Sequence, residues 1–190
     1  MELSHQMLLI ADFLRKLFFE HYILYLCLNK IIATMEKIYG TTKRQDGLQR
    51  VGKNKWLLYF GLYETESGTY EYRHTFTHKP TLDEIKKLVW ATIDAETKDK
   101  IVNQFEYEGI KVWLTDEKQR NFASIENNES VTFPLTLKLN EKADATPIYH
   151  TFQTRDEFKK FSEAAACFIL ETIRNGWKEK DNVDWSVFDM

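Results

Sequence analysis

One tripeptide, with the helix start behind it, occurs twice in this chain, and the repeat limits the possible folds more than any single motif. Residues 74–88 read HTFTHKPTLDEIKKL and residues 150–161 read HTFQTRDEFKKF. Each copy reads as the returning strand of a β-hairpin, a short connection and a capped amphipathic helix. The stretches in front match in length: Lys55–Phe76 and Val131–Phe152 have the same span and both end in His-Thr-Phe. The first copy has three extra residues in its connection, around His78-Lys79-Pro80. The expectation is an α+β fold of duplicated β-hairpin–helix (ββα) units, at about residues 55–104 and 131–176. Such units would form an antiparallel sheet with the helices on one face, joined by a small middle hairpin–helix.

In the first unit, Trp56–Tyr63 is a nearly continuous apolar run that suits a strand covered on both faces. Thr69–His78 then alternates, with Tyr70, Tyr72, His74 and Phe76 on one side and Thr69, Glu71, Arg73 and Thr75 on the other. Thr81 with Glu84 has the spacing of a capping box, in which hydroxyl and carboxylate each satisfy a free backbone N–H. Leu82, Ile85, Leu88, Val89 and Thr92 share one helical face, and Lys86 and Lys87 point away. That helix is expected to reach Ile101 and Val102, with a break near Asp94.

In the second unit, Val131, Phe133, Leu135, Leu137 and Leu139 alternate, and Pro134 marks an edge strand or an irregular start. Ile148–Phe152 returns, and Thr154 with Glu157 repeats the capping box. Phe158, Phe161, Ala165, Phe168 and Ile169 form the buried face of the second long helix, with Lys159 and Lys160 outward. Gly176 suits a C-terminal cap, and Trp177, Trp185 and Phe188 would fold the tail back. Between the units, Phe105–Leu114 reads as a hairpin turning at Glu108-Gly109. Asp116 with Gln119 then opens a short helix carrying Phe122 and Ile125. Glu36–Asn54, polar and glycine-bearing, reads as loop.

Residues 35–190 are expected to form a single α+β domain, and Met1–Thr34 differs from it in character. This N-terminal extension is apolar on nearly every helical face, yet Asp12, Arg15, Lys16, Glu20 and Lys30 interrupt it. A membrane-spanning helix needs about 20 apolar residues in succession. A docked helix, an interfacial helix and an upstream leader ahead of a true start at Met35 all fit. The abrupt change of composition at Met35 favours the last.

The formal charge of −3 leaves no basic footprint for phosphate-driven nucleic-acid binding. Cys27 and Cys167 have no ligand or disulfide spacing and suit a reducing compartment, Cys167 as a small apolar helix residue. His74 and His150 occupy matched places, so a metal or acid–base pair is conceivable, but ordinary strand histidines explain them better. Ser67-Gly68 lacks the strained turn of a nucleophilic serine. Asp83-Glu84 and Asp156-Glu157 sit where helix starts favour acids. No catalytic, cofactor-binding or metal-binding residue is assigned, and no cofactor is expected.

Several stretches are similar to one family of phage- and prophage-encoded proteins. They are MEKIYG, KWLLYFGLY, YRHTF with PTLDEIK, GIKVWLTDEKQRNF, PLTLKL, YHTF and GWKEKDNVDW. The resemblance runs from Met35 to the C-terminus. It implies a phage origin, beside tail or other structural genes, and carries no activity or functional residues with it. The expected function is that of a non-enzymatic virion (tail-associated) component or assembly factor, meeting other phage structural or assembly proteins. The alternative is a host-directed inhibitor or regulator that binds a host protein, and an enzyme ranks last. The expected location is the bacterial host's cytoplasm or the virion.

Overall fold

The computed structural model describes residues 35–65 and 68–189. The readings of Met1–Thr34, Cys27 and Ser67 lie outside the described residues. The fold is α+β, with every strand pair antiparallel. Eight strands are described: β1 (Glu36–Tyr39), β2 (Gly47–Arg50), β3 (Trp56–Thr65), β4 (Gly68–Phe76), β5 (Phe105–Tyr107), β6 (Ile110–Val112), β7 (Leu135–Glu141) and β8 (Pro147–Phe152). The helices are α1 (Leu82–Asn103), α2 (Asp116–Glu126) and α3 (Arg155–Asp181), followed by a 3-10 turn at Trp185–Phe188. Two compact units result. One holds the described residues up to Ala91 together with those from Ser186, and the other holds Thr92–Trp185.

Both expected hairpin–helix motifs are present, as β3–β4–α1 and β7–β8–α3. Their His-Thr-Phe segments have the same register. His74, Thr75 and Phe76 face Leu58, Leu57 and Trp56, the first three residues of β3. His150, Thr151 and Phe152 face Leu137, Thr136 and Leu135, the first three of β7. Each hairpin then shifts register, between Phe60 and Tyr63 in one and between Lys138 and Asn140 in the other. The hairpins lie in separate sheets. The first is the centre of a four-stranded sheet ordered β1-β4-β3-β2, and the second is a two-stranded sheet.

The first unit buries one face of its sheet densely: Trp56, Leu58, Phe60 and Tyr63 from β3, and Tyr70, Tyr72 and Phe76 from β4. The alternation expected for β4 holds except at Glu71, which is buried on the opposite phase. Its Oε2 has no hydrogen-bond partner among the described residues. β1 and β2 replace the expected loop. Both are four-residue edge strands, β1 mostly exposed and β2 burying only Leu48, so neither carries the apolar alternation by which a strand is recognised.

The second unit closes over its own core. Phe152, Phe158 and Phe161 are fully buried and join Phe105, Val112, Leu114, Phe122 and Leu139. The Phe152 ring meets Phe158 at 5.2 Å nearly edge-on and Phe161 at 5.1 Å. Each such side chain stabilises the fold by about 1.5–3 kcal/mol through burial. β7 begins at Leu135, with Val131–Pro134 outside it, so the irregular-start reading of Pro134 holds and the matched spans are not matched strands. β6 meets β7 through Trp113 N–H to Leu139 O (3.1 Å) and the Asn140 side-chain amide to Lys111 O (2.9 Å). The middle hairpin turns at Glu108 and Gly109, both at positive φ.

Five local expectations change. α1 runs unbroken through Asp94, whose carboxylate takes the Lys180 ammonium at 2.6 Å. α2 is capped by Thr115, one residue before Asp116: its side chain accepts from Lys118 N–H. Trp177 and Cys167 are exposed, so neither is an anchor or a core residue, while Phe188 is buried as expected. Gly176 does not end α3, which continues to Asp181. Gly176 is buried, and a Cβ there would stand 2.3 Å from Thr97 Oγ1 and 3.3 Å from Thr97 Cβ and Cγ2. Swinging Thr97 aside would break the bond that its hydroxyl donates to Ile93 O at 2.8 Å. Alanine gains up to about 1 kcal/mol of helix propensity over glycine, whereas overpacking costs about 1–3 kcal/mol. Gly176→Ala is therefore expected to lower stability by about 1–2 kcal/mol in urea unfolding. Adding Thr97→Ala should recover part of that loss, which a double-mutant cycle reads directly.

Candidate functional site

The strand-to-helix corners bring together residues that the repeat singled out. In the first, Glu84 Oε2 accepts from Thr81 N–H (2.8 Å) and the Thr81 hydroxyl (2.9 Å), and Glu84 N–H donates to Thr81 Oγ1 (3.3 Å). In the second, Glu157 N–H donates to Thr154 Oγ1 (3.2 Å), while Glu157 Oε2 accepts from Gln153 N–H (2.7 Å). Each capping carboxylate also faces a histidine. Glu84 Oε1 lies 3.0 Å from His78 Nε2, and Glu157 Oε1 lies 3.4 Å from His150 Nε2. The matched pair His74 and His150 is thus not equivalent: in the first motif the longer connection supplies His78 for the carboxylate instead.

His74 packs its ring against Phe76 at 4.7 Å, and burial holds its imidazole below the ordinary histidine pKa. His150 lies edge-on to Phe152 at 4.5 Å and Tyr107 at 5.9 Å. Each histidine is accounted for by its own surroundings. Among the described residues no group of three or more His, Cys, Asp or Glu side chains could hold a metal ion. No described helix is long and apolar enough to cross a membrane.

An open concave surface lies elsewhere, in the second unit. It is a cleft of about 400 Å³ between the C-terminal halves of α1 and α3. The helices run antiparallel there, close together where Gly176 meets Thr97 and tied at one end by Lys180 and Asp94. At the other end Phe105, just after α1, meets Phe168 at 5.4 Å. Between these points the facing positions are polar: Thr97, Lys100 and Gln104 on α1, and Glu171, Thr172, Asn175 and Glu179 on α3. Thr97 and Thr172 donate their hydroxyl protons to their own helices, to Ile93 O and Phe168 O, both at 2.8 Å. Their oxygen lone pairs are left for the cleft. The side-chain amides of Gln104 and Asn175 make no hydrogen bond among the described residues.

From sequence, Phe168 reads as part of a buried helix face and Gly176 as a helix end, and the polar residues of the cleft are not singled out. The signal was present as polar residues at helical spacing on two long helices, with the buried Gly176 among them.

A second surface is the open edge of β8, which pairs with β7 alone. Its outward residues Tyr149 and Thr151 are exposed, and the Thr151 and Thr136 hydroxyls meet at 2.8 Å across the hairpin.

Comparison with protein-family models, with curated proteins and with solved structures finds no match to the chain.

The two corners and His74 give opposite-looking groups the same pH sign. Hydrogen bonds from Thr81 and from Gln153 hold the Glu84 and Glu157 carboxyls below their ordinary pKa. A depressed carboxyl contributes stability above its unfolded pKa and loses it as pH falls through the folded value. Glu157→Gln should therefore lower the urea midpoint at neutral pH and flatten the loss seen below about pH 4.3. His74, also depressed, favours the neutral imidazole, so acidification from about pH 6.5 downward destabilises the fold. His74→Gln is expected to shrink the drop in urea midpoint between about pH 7.5 and pH 5.5, and an unchanged drop would contradict that assignment.

Proposed function

We propose that this chain is a non-enzymatic protein of phage or prophage origin, a tail-associated virion component or an assembly factor, that works by contact with other proteins. The phage context is supported by the sequence resemblance from Met35 onward. The mode of action is supported chiefly by one observation, the unguarded edge of β8. Strand edges offer unpaired N–H and C=O groups to another strand, and proteins ordinarily blunt them with charge, proline or bulges. The other edges are guarded in this way: β1 carries Glu36 and Lys37, β2 carries Arg50, and β5 is three residues long. β8, Pro147–Phe152, has no Asp, Glu, Lys or Arg, and its proline stands only at the first position. Such an edge suits addition of a partner strand, in which main-chain hydrogen bonds supply affinity and alternate side chains supply specificity.

The test uses full-length protein in a host producing the phage. The chain is expected to co-sediment with particles, or with a tail protein, through a density gradient. Tyr149→Lys with Thr151→Lys, both at exposed positions, should reduce that association by about tenfold, or 1.4 kcal/mol, at an unchanged urea midpoint. Recovery of the chain free of every phage protein would overturn the proposal, and a host protein in its place would move the reading to a host-directed inhibitor.

A further inference from the structure

The two copies of the hairpin–helix motif are completed differently, and the difference falls on β8. In the first unit each strand of the hairpin has a second neighbour: β1 lies antiparallel on β4, and β2 on β3. In the second unit β7 is joined to β6 through the Trp113 and Asn140 bonds. β8, the counterpart of β4, pairs with β7, and among the described residues no strand covers its other edge. A lone pair of strands is marginal in water, and a third strand on a hydrophobic face makes a stable sheet. The first unit shows what the matching position takes, which is a short antiparallel strand.

The main-chain groups that β8 offers follow from its ladder. Thr146 O accepts from Lys142 N–H at 2.8 Å, and residues along an antiparallel strand alternate between bonded and non-bonded pairs. Ile148, His150 and Phe152 therefore turn their N–H and C=O towards β7, while Tyr149 and Thr151 turn theirs outward. The 2.8 Å contact between the Thr136 and Thr151 hydroxyls agrees, because side chains stand closer in non-bonded pairs. The outward groups end abruptly on both sides. Pro147 has no N–H, and Gln153 N–H already donates to Glu157 Oε2 at 2.7 Å.

We propose that the strand added at this edge is β8 of a second copy of the chain, antiparallel about a twofold axis at His150. In that register Tyr149 of each copy stands opposite Thr151 of the other, and every outward N–H and C=O of both residues is bonded. A shift of two residues in one direction leaves Thr151 C=O facing Pro147. The same shift in the other direction leaves Tyr149 C=O facing the committed Gln153 N–H. The side chains fit the same register, since an aromatic beside a β-branched residue is a favourable cross-strand pair. β8 has no Asp, Glu, Lys or Arg, so the twofold brings no like charges together within it. This inference rests on the reading that the edge serves protein contact, and it names the partner there.

The test is sedimentation equilibrium of purified full-length protein, free of phage proteins, from about 1 to about 200 µM. A reversible monomer–dimer equilibrium is expected. Tyr149→Pro removes an outward N–H and no bond to β7, so it should raise the dimer Kd at least about tenfold. Thr151→Lys keeps the main chain intact and should do the same by placing charge on the edge, which covers the case that proline disturbs the hairpin. In a Cys27→Ser, Cys167→Ser background, His150→Cys should give a disulfide-linked dimer under copper–phenanthroline, and His74→Cys, its counterpart in the first hairpin, should not. A monomer throughout the range, a dimer that neither edge variant weakens, or a dimer that His150→Cys does not link would each overturn the inference. Particle association is read separately. A monomer that still co-sediments with particles removes the second copy alone, and a dimer recovered free of every phage protein removes the phage reading alone.

Discussion

The orientation of each long helix against its hairpin is set by one carboxylate. Glu84 and Glu157 stand at the third position of their helices, and each ties the first turn back to the segment that leaves the strand. In the second unit the consequence reaches the core directly. With Glu157 bound to Gln153 N–H and Thr154 bound to Glu157 N–H, the chain reverses within a few residues of Phe152. Phe158 and Phe161, one turn apart on α3, then arrive at 5.2 and 5.1 Å from the Phe152 ring. A cap contributes only about 1 kcal/mol by itself. Its larger effect is geometric, because three fully buried phenylalanines depend on the angle it fixes. In the first motif Pro80 and Ile85, the residue before the cap and the fourth helical residue, are both buried, the positions of a hydrophobic staple.

What could be read from the sequence follows from where the information is local. The Thr81 and Thr154 helix caps, the alternation in β7 and, Glu71 apart, in β4, and the Glu108-Gly109 turn are decided within a few residues and appear, whereas the box expected at Asp116 gives way to a Thr115 cap. β1 and β2 are decided by their neighbours: four mostly exposed residues become a strand because β4 or β3 offers a free edge. Gly176 shows the same limit on a helix. Locally a glycine before a polar tail reads as a stop. In the structure it is the point of closest approach to Thr97, and α3 continues past it because Lys178 and Lys180 accept the cap N–H of Asn182 through their carbonyls. The cleft was out of reach for the same reason, since its two walls are separated by more than sixty residues of chain.

The cleft follows from Gly176 by geometry. Without a side chain at 176 the two helices come together at Thr97, and the Lys180–Asp94 pair keeps that end closed. Beyond the contact, Thr172 and Asn175 cannot replace the apolar bulk that would fill the space, and both threonines direct their protons into their own helices. The result is a gap walled by acceptors, bounded at its far end by Phe168.

The same reasoning separates β8 from the other edges. A free strand edge without charge is a hazard in any cell, because a second copy can add to it as readily as a partner. The chain guards β1 and β2 with charged residues and closes β7 against β6, through Trp113 and Asn140. It therefore has the means to guard an edge and omits them at one place, where Tyr149 and Thr151 also stand exposed beside it. Under the proposal that the chain works by protein contact, the open edge is where a partner strand would add. The aromatic interior of the second unit, centred on Phe152, Phe158 and Phe161, holds β8 in place, so a partner strand of the kind proposed would meet a fixed edge.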